Sequence, residues 1–376
     1  MRKNWNNLFL FLFFVAGIQA QEIQNKLYKA GFENIQVKEG EDSLKVFFEH
    51  REFRSPYHSM RYADLLLQEM EKKPLVWIPL YHNTPIGEYH ANSYRFSSLS
   101  EEDRRFYRQY NSFQEAYRFH LRIHPDFSAR FGYYSDPFQI KFNLILDSRI
   151  YLAPGLSLQT GIAIPIQNNL DAQDTKPRLA PSMLHYFAQP ANSHFVALSL
   201  GSFYYDRYGI DLQYRYDDLS SPWSFGLESG LTGFYWMTSG SIYSEDVNNL
   251  HAIADVEYRL PFENLSVKLS AGKFLFEDLG GRVDLIRQFG TVDLGLHISA
   301  TDAGVTGGFQ FAFSLWPGTI IRTKKLEVRT SEEFRWEYSY NNEEPVARRY
   351  RLGIPRLDHV LRQYNAEFVK GLDGGR

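Results

Sequence analysis

The feature that most constrains this chain is a two-residue alternation of apolar and polar side chains, which recurs from Tyr117 onward. A period of two places successive side chains on opposite faces of a β-strand. Each run covers about eight to eleven positions, and the clearest are 117–124, 156–166, 208–217, 309–315 and 333–340. The pattern predicts a mainly β domain over residues 117–352, in which each strand has one apolar and one polar face.

The alternation alone does not separate a membrane β-barrel from a soluble β-sandwich, because both bury an apolar face. Strand length and aromatic placement separate them. About 9 to 11 residues cross a bilayer at a tilt, whereas soluble strands average about five or six. Trp223, Tyr235, Trp236 and Trp316 lie near predicted strand ends, as the aromatic girdles of a barrel require. We therefore expect a transmembrane antiparallel β-barrel of about 14–16 strands.

Turn spacing gives a partial check on the topology. Long loops such as 167–178 and 233–250 alternate with tight connections, which are predicted at Pro125, 153–155, 189–193, 261–264, 290–291 and 317–318. Short turns of such barrels lie on the periplasmic side. Counting from Tyr117 with a turn at Pro125 starts the barrel outside the cell, so either one strand precedes Tyr117 or a weak strand near 127–134 is miscounted.

The N-terminus is typical of a secretory signal peptide over residues 1–20. Arg2 and Lys3 precede an apolar run from Leu8 to Gly17, which is about half the length that a spanning helix needs. The mature chain should therefore be exported. The absence of cysteine excludes disulfides, thiolate metal sites and lipidation through Cys, and a net charge of -3 makes nucleic acid an unexpected partner.

Residues 21–98 predict a small α/β module in the periplasm. A helix over 22–30 ends at Gly31, alternating residues on either side of Gly40 predict a hairpin, and a second helix begins after Pro56 and precedes a strand over 75–81. The module contains four histidines without a metal-binding spacing, so we expect neither a metal site nor a cofactor. They are His50, His58, His82 and His90.

Two segments flank the predicted barrel. Residues 99–116 are charged and polar with little periodicity, which favours a linker or a solvated helix. Residues 353–376 carry apolar side chains at helical spacing after Pro355, so we expect a C-terminal helical tail.

Two tight turns predict strand registers. A two-residue turn at Gly290-Thr291 pairs residues whose numbers sum to 581 and sets Asp284 across from His297. The connection Pro261 to Asn264 pairs numbers that sum to 525 and sets Glu257 across from Lys268. The inward faces then form a lumen of mixed charge, lined by Arg118, Arg122, Asp211, Arg215, Glu228, Glu257, Lys268, Asp284, His297, Glu333, Arg335 and Glu337.

The stretch that begins at Ala271, AGKFLFEDLGGRVDLIRQFGTVDLGLHISATD, resembles the YjbH family of outer-membrane proteins encoded with exopolysaccharide and capsule machinery. Similar text in the family's order is found at LAPGLSLQTGIAIPI (152–166), RLAPSMLHYFAQ (178–189), residues 199–233, and GFENIQVKEGEDSLKVFFEHREFRSP (31–56). The resemblance covers most of the mature chain. Its motifs are strand and turn texts without a catalytic signature.

The resemblance implies a non-enzymatic accessory of exopolysaccharide or capsule export in the outer membrane of a Gram-negative bacterium. Its expected partners are outer-membrane lipid, periplasmic or outer-membrane polysaccharide-export proteins and the polysaccharide itself. Two alternatives remain open from the residues. One is an outer-membrane enzyme such as a lipase or a glycan-modifying barrel, for which Asp284 and His297 lack a recognisable companion serine. The other is a general pore or structural barrel.

Overall fold

The computed structural model describes residues 20–374 except 41, 69, 71–72, 112–116, 133–136, 238–240, 316–318 and 341–344. Residues 1–19 of the predicted signal peptide and the predicted turn at 317–318 lie outside the described residues. Within them the chain is mainly β, as the alternation predicts. No helix of the described part is long and apolar enough to cross a membrane.

The N-terminal part is a six-stranded sheet with helices against it, which we term the N-terminal sheet domain. Its strands follow the order β1-β2-β3-β5-β6, with β4 beside β3, and only β2 and β3 are parallel. The strands are β1 (Glu33–Glu39), β2 (Leu44–Glu49), β3 (Leu75–Tyr81), β4 (Thr84–Pro85), β5 (Glu88–His90) and β6 (Arg95–Ser97). The helices are α1 (20–29), α2 (Pro56–Leu67), α3 (Glu101–Tyr110) and a 3₁₀ turn at Ala91–Ser93.

The local predictions for this region are confirmed. Val37 pairs with Val46 in the expected hairpin, α2 begins at Pro56, and β3 spans the predicted residues. The apolar stripes of α1 and α2 pack on Trp77 of β3. The segment 99–116 contains α3, whose first turn is capped because the Ser100 hydroxyl accepts a hydrogen bond from the Asp103 N–H.

The remaining strands form a barrel. Twelve of them are long, with nine or more residues each, and each pairs antiparallel with its long neighbours. These are β7 (Phe119–Phe131), β8 (Phe138–Ala153), β9 (Leu156–Asn168), β11 (Met183–Ala191), β12 (His194–Phe203), β13 (Arg207–Asp217), β14 (Trp223–Met237), β16 (Asn249–Arg259), β17 (Leu265–Lys273), β18 (Leu279–Phe289), β19 (Val292–Thr301) and β20 (Gly304–Phe313).

Five short strands complete the wall. They are β10 (Arg178–Leu179), β15 (Ile242–Ser244), β21 (Thr319–Arg322), β22 (Leu326–Arg329) and β23 (Phe334–Ser339), and a 3₁₀ turn spans Leu275–Glu277. β23 pairs with β20, whereas β22 pairs in parallel with the start of β7. In the described residues, the wall consists of twelve long strands and one further position, which β22 and β23 occupy one after the other. The number of strands is therefore lower than the 14–16 expected.

The expected turn at Pro125 is wrong, because β7 runs through this residue and Pro125 pairs with Leu144 of β8. Proline lacks a backbone N–H, so it disrupts a central strand only at a position where that N–H would donate a hydrogen bond to the neighbouring strand. β7 therefore starts beside the N-terminal sheet domain and spans the height of the barrel as one strand. No additional strand before Tyr117 is needed. The contradiction in the sequence-based strand count disappears.

The end of the barrel beside the N-terminal sheet domain carries the short connections 154–155, 192–193, 218–222, 260–264 and 290–291. Three contacts with the domain locate this end. The N–H of Gly155 donates to the His82 carbonyl, Arg104 binds Asn192, and Arg54 donates to the Thr291 carbonyl. We call the opposite end of the barrel the far mouth. The longer connections 169–182 and 238–248 lie there.

Both predicted registers are confirmed. Asp284 pairs with His297, Gln288 with Asp293 and Leu285 with Leu296. Glu257 pairs with Lys268 in the second hairpin. Since a slip of one residue would exchange the two faces, these registers fix which side chains face the lumen.

The faces of the wall are inverted relative to a soluble protein. On β19, Leu296 and Ile298 are 63% and 65% exposed, whereas His297 between them is 3% exposed. The same alternation on β18 exposes Val283 and Leu285 and buries Asp284. The barrel thus has an apolar outer wall and a charged interior.

The C-terminal segment, residues 345–374, forms α4 (Leu357–Tyr364) and α5 (Ala366–Asp373), so the predicted helix is confirmed. Its position differs from that of a tail, because the segment runs down the barrel interior. The Ala347 N–H donates to Asp278 near the far mouth, and the Ala366 N–H donates to the Leu219 carbonyl at the other end. Val369 then packs in the core of the N-terminal sheet domain.

Candidate functional site

The twelve residues predicted to line the lumen alternate with the exposed apolar side chains of the wall. Glu337 is exposed, and Glu333 and Arg335 are half-buried. The other nine are buried: Arg118, Arg122, Asp211, Arg215, Glu228, Glu257, Lys268, Asp284 and His297. Burying a charge is costly unless it is paired, so the partners of these residues decide what the lumen can do.

Arg118 lies apart from the other lumen residues, at the junction with the N-terminal sheet domain. Its N–H donates to Glu33 at 2.7 Å, and its guanidinium lies 4.0 Å from the centre of the Tyr28 ring. Burial raises the pKa of Glu33, but the Arg51 guanidinium and His120 together outweigh this effect and hold that pKa well below its usual range. Glu33 therefore acts as a charged anchor between the domain and the barrel.

A second anchor reaches from the N-terminal sheet domain into the barrel. Arg54, whose side chain is almost fully buried, pairs with Asp293 of β19 and Glu333 beside β23. No local sequence pattern predicts this contact, since Arg54 is separated from both acids by more than 200 residues. Together with Arg118, it attaches the domain to the short-turn end of the barrel.

The middle of the lumen is filled by charge pairs between wall and C-terminal segment. Arg362 of α4 binds Glu257 through two hydrogen bonds of 2.8 Å each, and Asp358 binds Lys268 at 2.5 Å. Arg215 of the wall is neutralised by Asp255 at 2.9 Å. The wall charges predicted to compensate one another across strands are thus satisfied largely by the segment between them.

Nearer the far mouth, Asp211, Glu228 and His251 place their ligand atoms within 4.8 Å of one another, a spacing that could hold a metal ion. Arg356 of the C-terminal segment lies 3.1 Å from Glu228, and the Tyr350 hydroxyl donates to Asp211 at 2.7 Å. The guanidinium supplies the positive charge that a metal would bring. The cluster is therefore accounted for as an attachment point of the segment.

The structure brings a serine to His297, which sequence reasoning missed. The Ser339 hydroxyl lies 3.0 Å from His297 Nε2, although the two are 42 residues apart. Asp284 is engaged elsewhere, because Arg282 donates to it at 2.6 Å and Gln310 at 3.0 Å. Among the described residues, His297 Nδ1 has no hydrogen-bond partner. The orienting acid of a catalytic triad is thus not in place.

A cavity of about 420 Å³ remains between the C-terminal segment and the wall formed by β7, β18 and β23. Its lining includes Arg122, Lys268, Asp284 and three residues predicted to line the lumen on and beside β23: Glu333, Arg335 and Glu337. This volume lies within the range of small-molecule sites, about 300 to 1,000 Å³. A ligand could occupy this part of the described lumen.

The residues that sequence reasoning missed belong mainly to the C-terminal segment: Tyr350, Arg351, Arg356, Asp358 and Arg362. Their signal was present, since the helical stripe of 357–368 leaves charged residues on its other face. The sequence did not indicate that this charged face meets the lumen.

Comparison with known proteins bears on the whole of this architecture. A search of the curated proteins and a search of the solved structures found no match. The family model described as exopolysaccharide biosynthesis protein YbjH matches residues 15–309, which include the N-terminal sheet domain and most of the barrel. The chain belongs to the YjbH family of exopolysaccharide biosynthesis proteins.

Proposed function

We propose that this protein is a non-enzymatic accessory of exopolysaccharide or capsule export and assembly, built as an outer-membrane β-barrel with its N-terminal sheet domain in the periplasm. The family supplies the link to exopolysaccharide. The observation that supports the membrane location is the inverted wall, in which Leu296 and Ile298 are exposed while the charged residues are inside. A continuous exposed apolar surface of this kind marks contact with lipid or a partner.

The orientation in this proposal follows from the connections. Short turns face the periplasm in bacterial barrels, and the short-turn end here carries the N-terminal sheet domain. The predicted signal peptide would export the chain to that side. The domain is then placed to contact periplasmic export proteins or glycan.

The filled lumen favours an accessory over a general diffusion pore. Arg351 pairs with Asp126 of β7, Arg362 pairs with Glu257 of β16, and α5 joins the core of the N-terminal sheet domain. A solute could not pass through a barrel held in this state. Because Asp284 does not orient His297, the enzyme alternative has a serine and a histidine but lacks the third group.

A matched pair of substitutions tests the membrane location. Leu296 on the barrel wall and Leu65 on α2 of the N-terminal sheet domain are 63% and 57% exposed. Arg on a lipid-facing barrel position costs about 2 to 4 kcal/mol at the bilayer midplane. Leu296→Arg should therefore abolish heat-modifiable migration and outer-membrane recovery, whereas Leu65→Arg should leave both unchanged. Equal tolerance of both variants, with the protein in the soluble periplasm, would contradict the proposal.

A gene deletion tests the role itself. We expect the deletion to lower surface polysaccharide and the wild-type gene to restore it. Ser339→Ala should restore it equally, because the proposal assigns no chemistry to this hydroxyl. Loss of polysaccharide with Ser339→Ala at normal protein levels would favour the enzyme alternative.

A further inference from the structure

The cavity of about 420 Å³ begins at the far mouth and ends inside the lumen. Its lining reaches the exposed residues Phe131, Tyr205 and Arg348 at the far mouth. Deeper in the lumen it includes Lys268 and Asp358, which bind each other between wall and C-terminal segment. A ligand would therefore enter from the far mouth and be held there, because the segment fills the lumen below.

The lining of this cavity is predominantly basic. Among the described residues, it contains ten Arg and Lys side chains against six Asp and Glu. Several of these arginines are already neutralised, since Arg122 binds Asp147 at 2.7 Å and Arg282 binds Asp284 at 2.6 Å. The charge that a ligand can use must come from arginines without such a close partner.

Two arginines of the C-terminal segment meet this condition at the far mouth. Arg348 is exposed and, in the part of the chain that the structure describes, forms no ion pair. Arg349 lies 3.8 Å from Glu228, which Arg356 binds more closely, at 3.1 Å. Binding an anion would thus cost Arg348 no existing ion pair and would cost Arg349 only a long one.

Tyr205 presents an aromatic ring beside these arginines. The guanidinium groups of Arg348 and Arg351 lie 5.6 Å and 5.4 Å from the centre of this ring, which is 39% exposed. The φ of Tyr205 is +63°, which is uncommon for a bulky side chain. The N–H of the preceding Tyr204 donates to the Arg351 carbonyl at 2.9 Å. The turn 204–206 and the C-terminal segment therefore hold ring and charge side by side.

This combination matches the chemistry of an acidic sugar. Guanidinium groups bind carboxylates through paired N–H donors, and the apolar C–H face of a sugar ring can pack on an aromatic ring. A sugar that carries a carboxylate on its ring would use both features. An inorganic anion would use only the arginines, and a neutral sugar would use only the ring.

We propose that the far-mouth end of this cavity binds a carboxylate-bearing sugar residue of an acidic polysaccharide, with Arg348 and Arg349 on the carboxylate and Tyr205 against the sugar ring. The inference rests on the proposed function, because it names the chemical class of the polymer that the accessory handles. The site retains a chain at the far mouth and does not conduct it, since the lumen below is filled.

Calorimetric titration of the full-length protein in detergent micelles tests the ligand class. The probes are trigalacturonic acid, its fully methyl-esterified and therefore uncharged form, and inorganic phosphate. Trigalacturonate should bind at least tenfold more tightly than either of the others, and its affinity should fall as the salt concentration rises. Equal affinity for the methyl ester would overturn the role of the carboxylate, and equal affinity for phosphate would overturn the role of the sugar ring. No binding of trigalacturonate or of a hyaluronan tetrasaccharide, which carries glucuronate, would overturn the proposal as a whole.

Matched substitutions locate the site. Arg348→Gln should weaken trigalacturonate binding at least fivefold and leave binding of the methyl ester unchanged, because it removes only a charge. Tyr205→Asn should weaken both, and asparagine tolerates the left-handed backbone of this turn. Arg287→Gln is the control, because this guanidinium also lies over an aromatic ring, 4.4 Å from the centre of Phe289, but does not line the cavity. Heat-modifiable migration checks the fold of each variant, and equal effects of Arg348→Gln and Arg287→Gln would overturn the site.

Failure of this inference can be distinguished from failure of the proposed function, because the titration requires neither the membrane nor the export machinery. If the gene deletion lowers surface polysaccharide but the purified protein binds neither acidic oligosaccharide, the accessory role stands and the acidic ligand is wrong. If the protein binds trigalacturonate through Arg348 but the deletion leaves surface polysaccharide unchanged, the site stands and the role in export is wrong.

Discussion

Buried charges stabilise this barrel only where their partners stay in place, and the Arg362–Glu257 pair is the clearest case. Both side chains are almost fully buried, and two hydrogen bonds of 2.8 Å join them. Removing one partner of a buried pair leaves an uncompensated charge, which costs about 3 to 5 kcal/mol. We expect Arg362→Ala to lower the free energy of unfolding by that amount in detergent denaturation. The exposed Arg348 of the same segment provides the control, and Arg348→Ala should change it little.

Glu52 makes the contact between the N-terminal sheet domain and the barrel sensitive to pH. Burial raises its pKa, but the interactions with His50, 3.5 Å away, and with the Arg322 guanidinium together outweigh burial and lower the pKa to about 2. A carboxyl group whose pKa is lowered by folding stabilises the folded state at pH values above its pKa in the unfolded chain, which is about 4.3. This stabilisation is lost as the pH falls toward 2. Between pH 5 and pH 2 (about the range of this titration), wild type should therefore lose more thermal stability than Glu52→Gln. Parallel melting curves of the two proteins would contradict this assignment.

For individual residues, the sequence predicted which side chains face the lumen but not which residues they pair with. A strict period of two assigned Asp211, Glu257 and Lys268 to the lumen without knowledge of the tertiary structure. Their partners Tyr350, Arg362 and Asp358 lie 139, 105 and 90 residues further along the chain. No local pattern encodes a contact of that separation.

The turns determine where the strands of the wall begin and end. Two turn glycines with positive φ allow the energetic cost of a strained backbone conformation to be distinguished from the cost of steric crowding. Gly155 (φ +78°) and Gly290 (φ +55°) each lie in a two-residue hairpin turn. A Cβ at Gly155 would lie 2.3 Å from the Phe187 carbonyl oxygen, whereas a Cβ at Gly290 would meet open space. We expect Gly290→Ala to cost about 1 kcal/mol from the left-handed conformation alone. Gly155→Ala should cost about 1 to 3 kcal/mol more, because the turn is crowded. Urea unfolding of the two variants in micelles measures both, and equal losses would contradict the crowding at Gly155.

Elements with strong local signals were predictable, and those defined by a change of partner were not. The hairpins at 261–264 and 290–291 follow from their turn residues, and both registers are confirmed. A turn was predicted at Pro125 because proline is usually excluded from the interior of a strand. β22 and β23 share one stretch of alternation, and only tertiary packing decides that β22 joins β7 while β23 joins β20.

In the whole molecule, the N-terminal sheet domain, the barrel wall and the C-terminal segment form a single unit because of the order in which the chain passes through them. The chain passes from the N-terminal sheet domain around the wall, enters the far mouth and returns through the lumen, so that Val369 lies in the same buried cluster as Leu27. The first and last parts of the chain therefore share a core. Each part limits the movement of the others, since the C-terminal segment cannot leave the lumen without also leaving that core.

Removal of the C-terminal segment should convert the barrel into a cation-selective channel. Truncation after residue 344 would take away Arg351, Arg356 and Arg362, which pair with Asp126, Glu228 and Glu257 of the wall. Of these acids, Glu257 would keep a wall arginine, Arg215, at 3.5 Å. Of the wall cations, Lys268 would lose the partner Asp358 but keep Asp255 within 3.8 Å. Rings of acidic side chains favour cations in a pore.

Planar-bilayer recordings test this expectation. Full-length protein should show no steady conductance, and the truncated protein should conduct and shift its reversal potential toward that of the cation in a salt gradient. Heat-modifiable migration of the truncated protein serves as the folding control. In the full-length chain, Arg356→Gln combined with Arg362→Gln should give intermittent cation-selective openings, because the segment would keep its other contacts. Anion selectivity of the truncated barrel would mean that the lumen charges are not balanced by the segment in the way these contacts indicate.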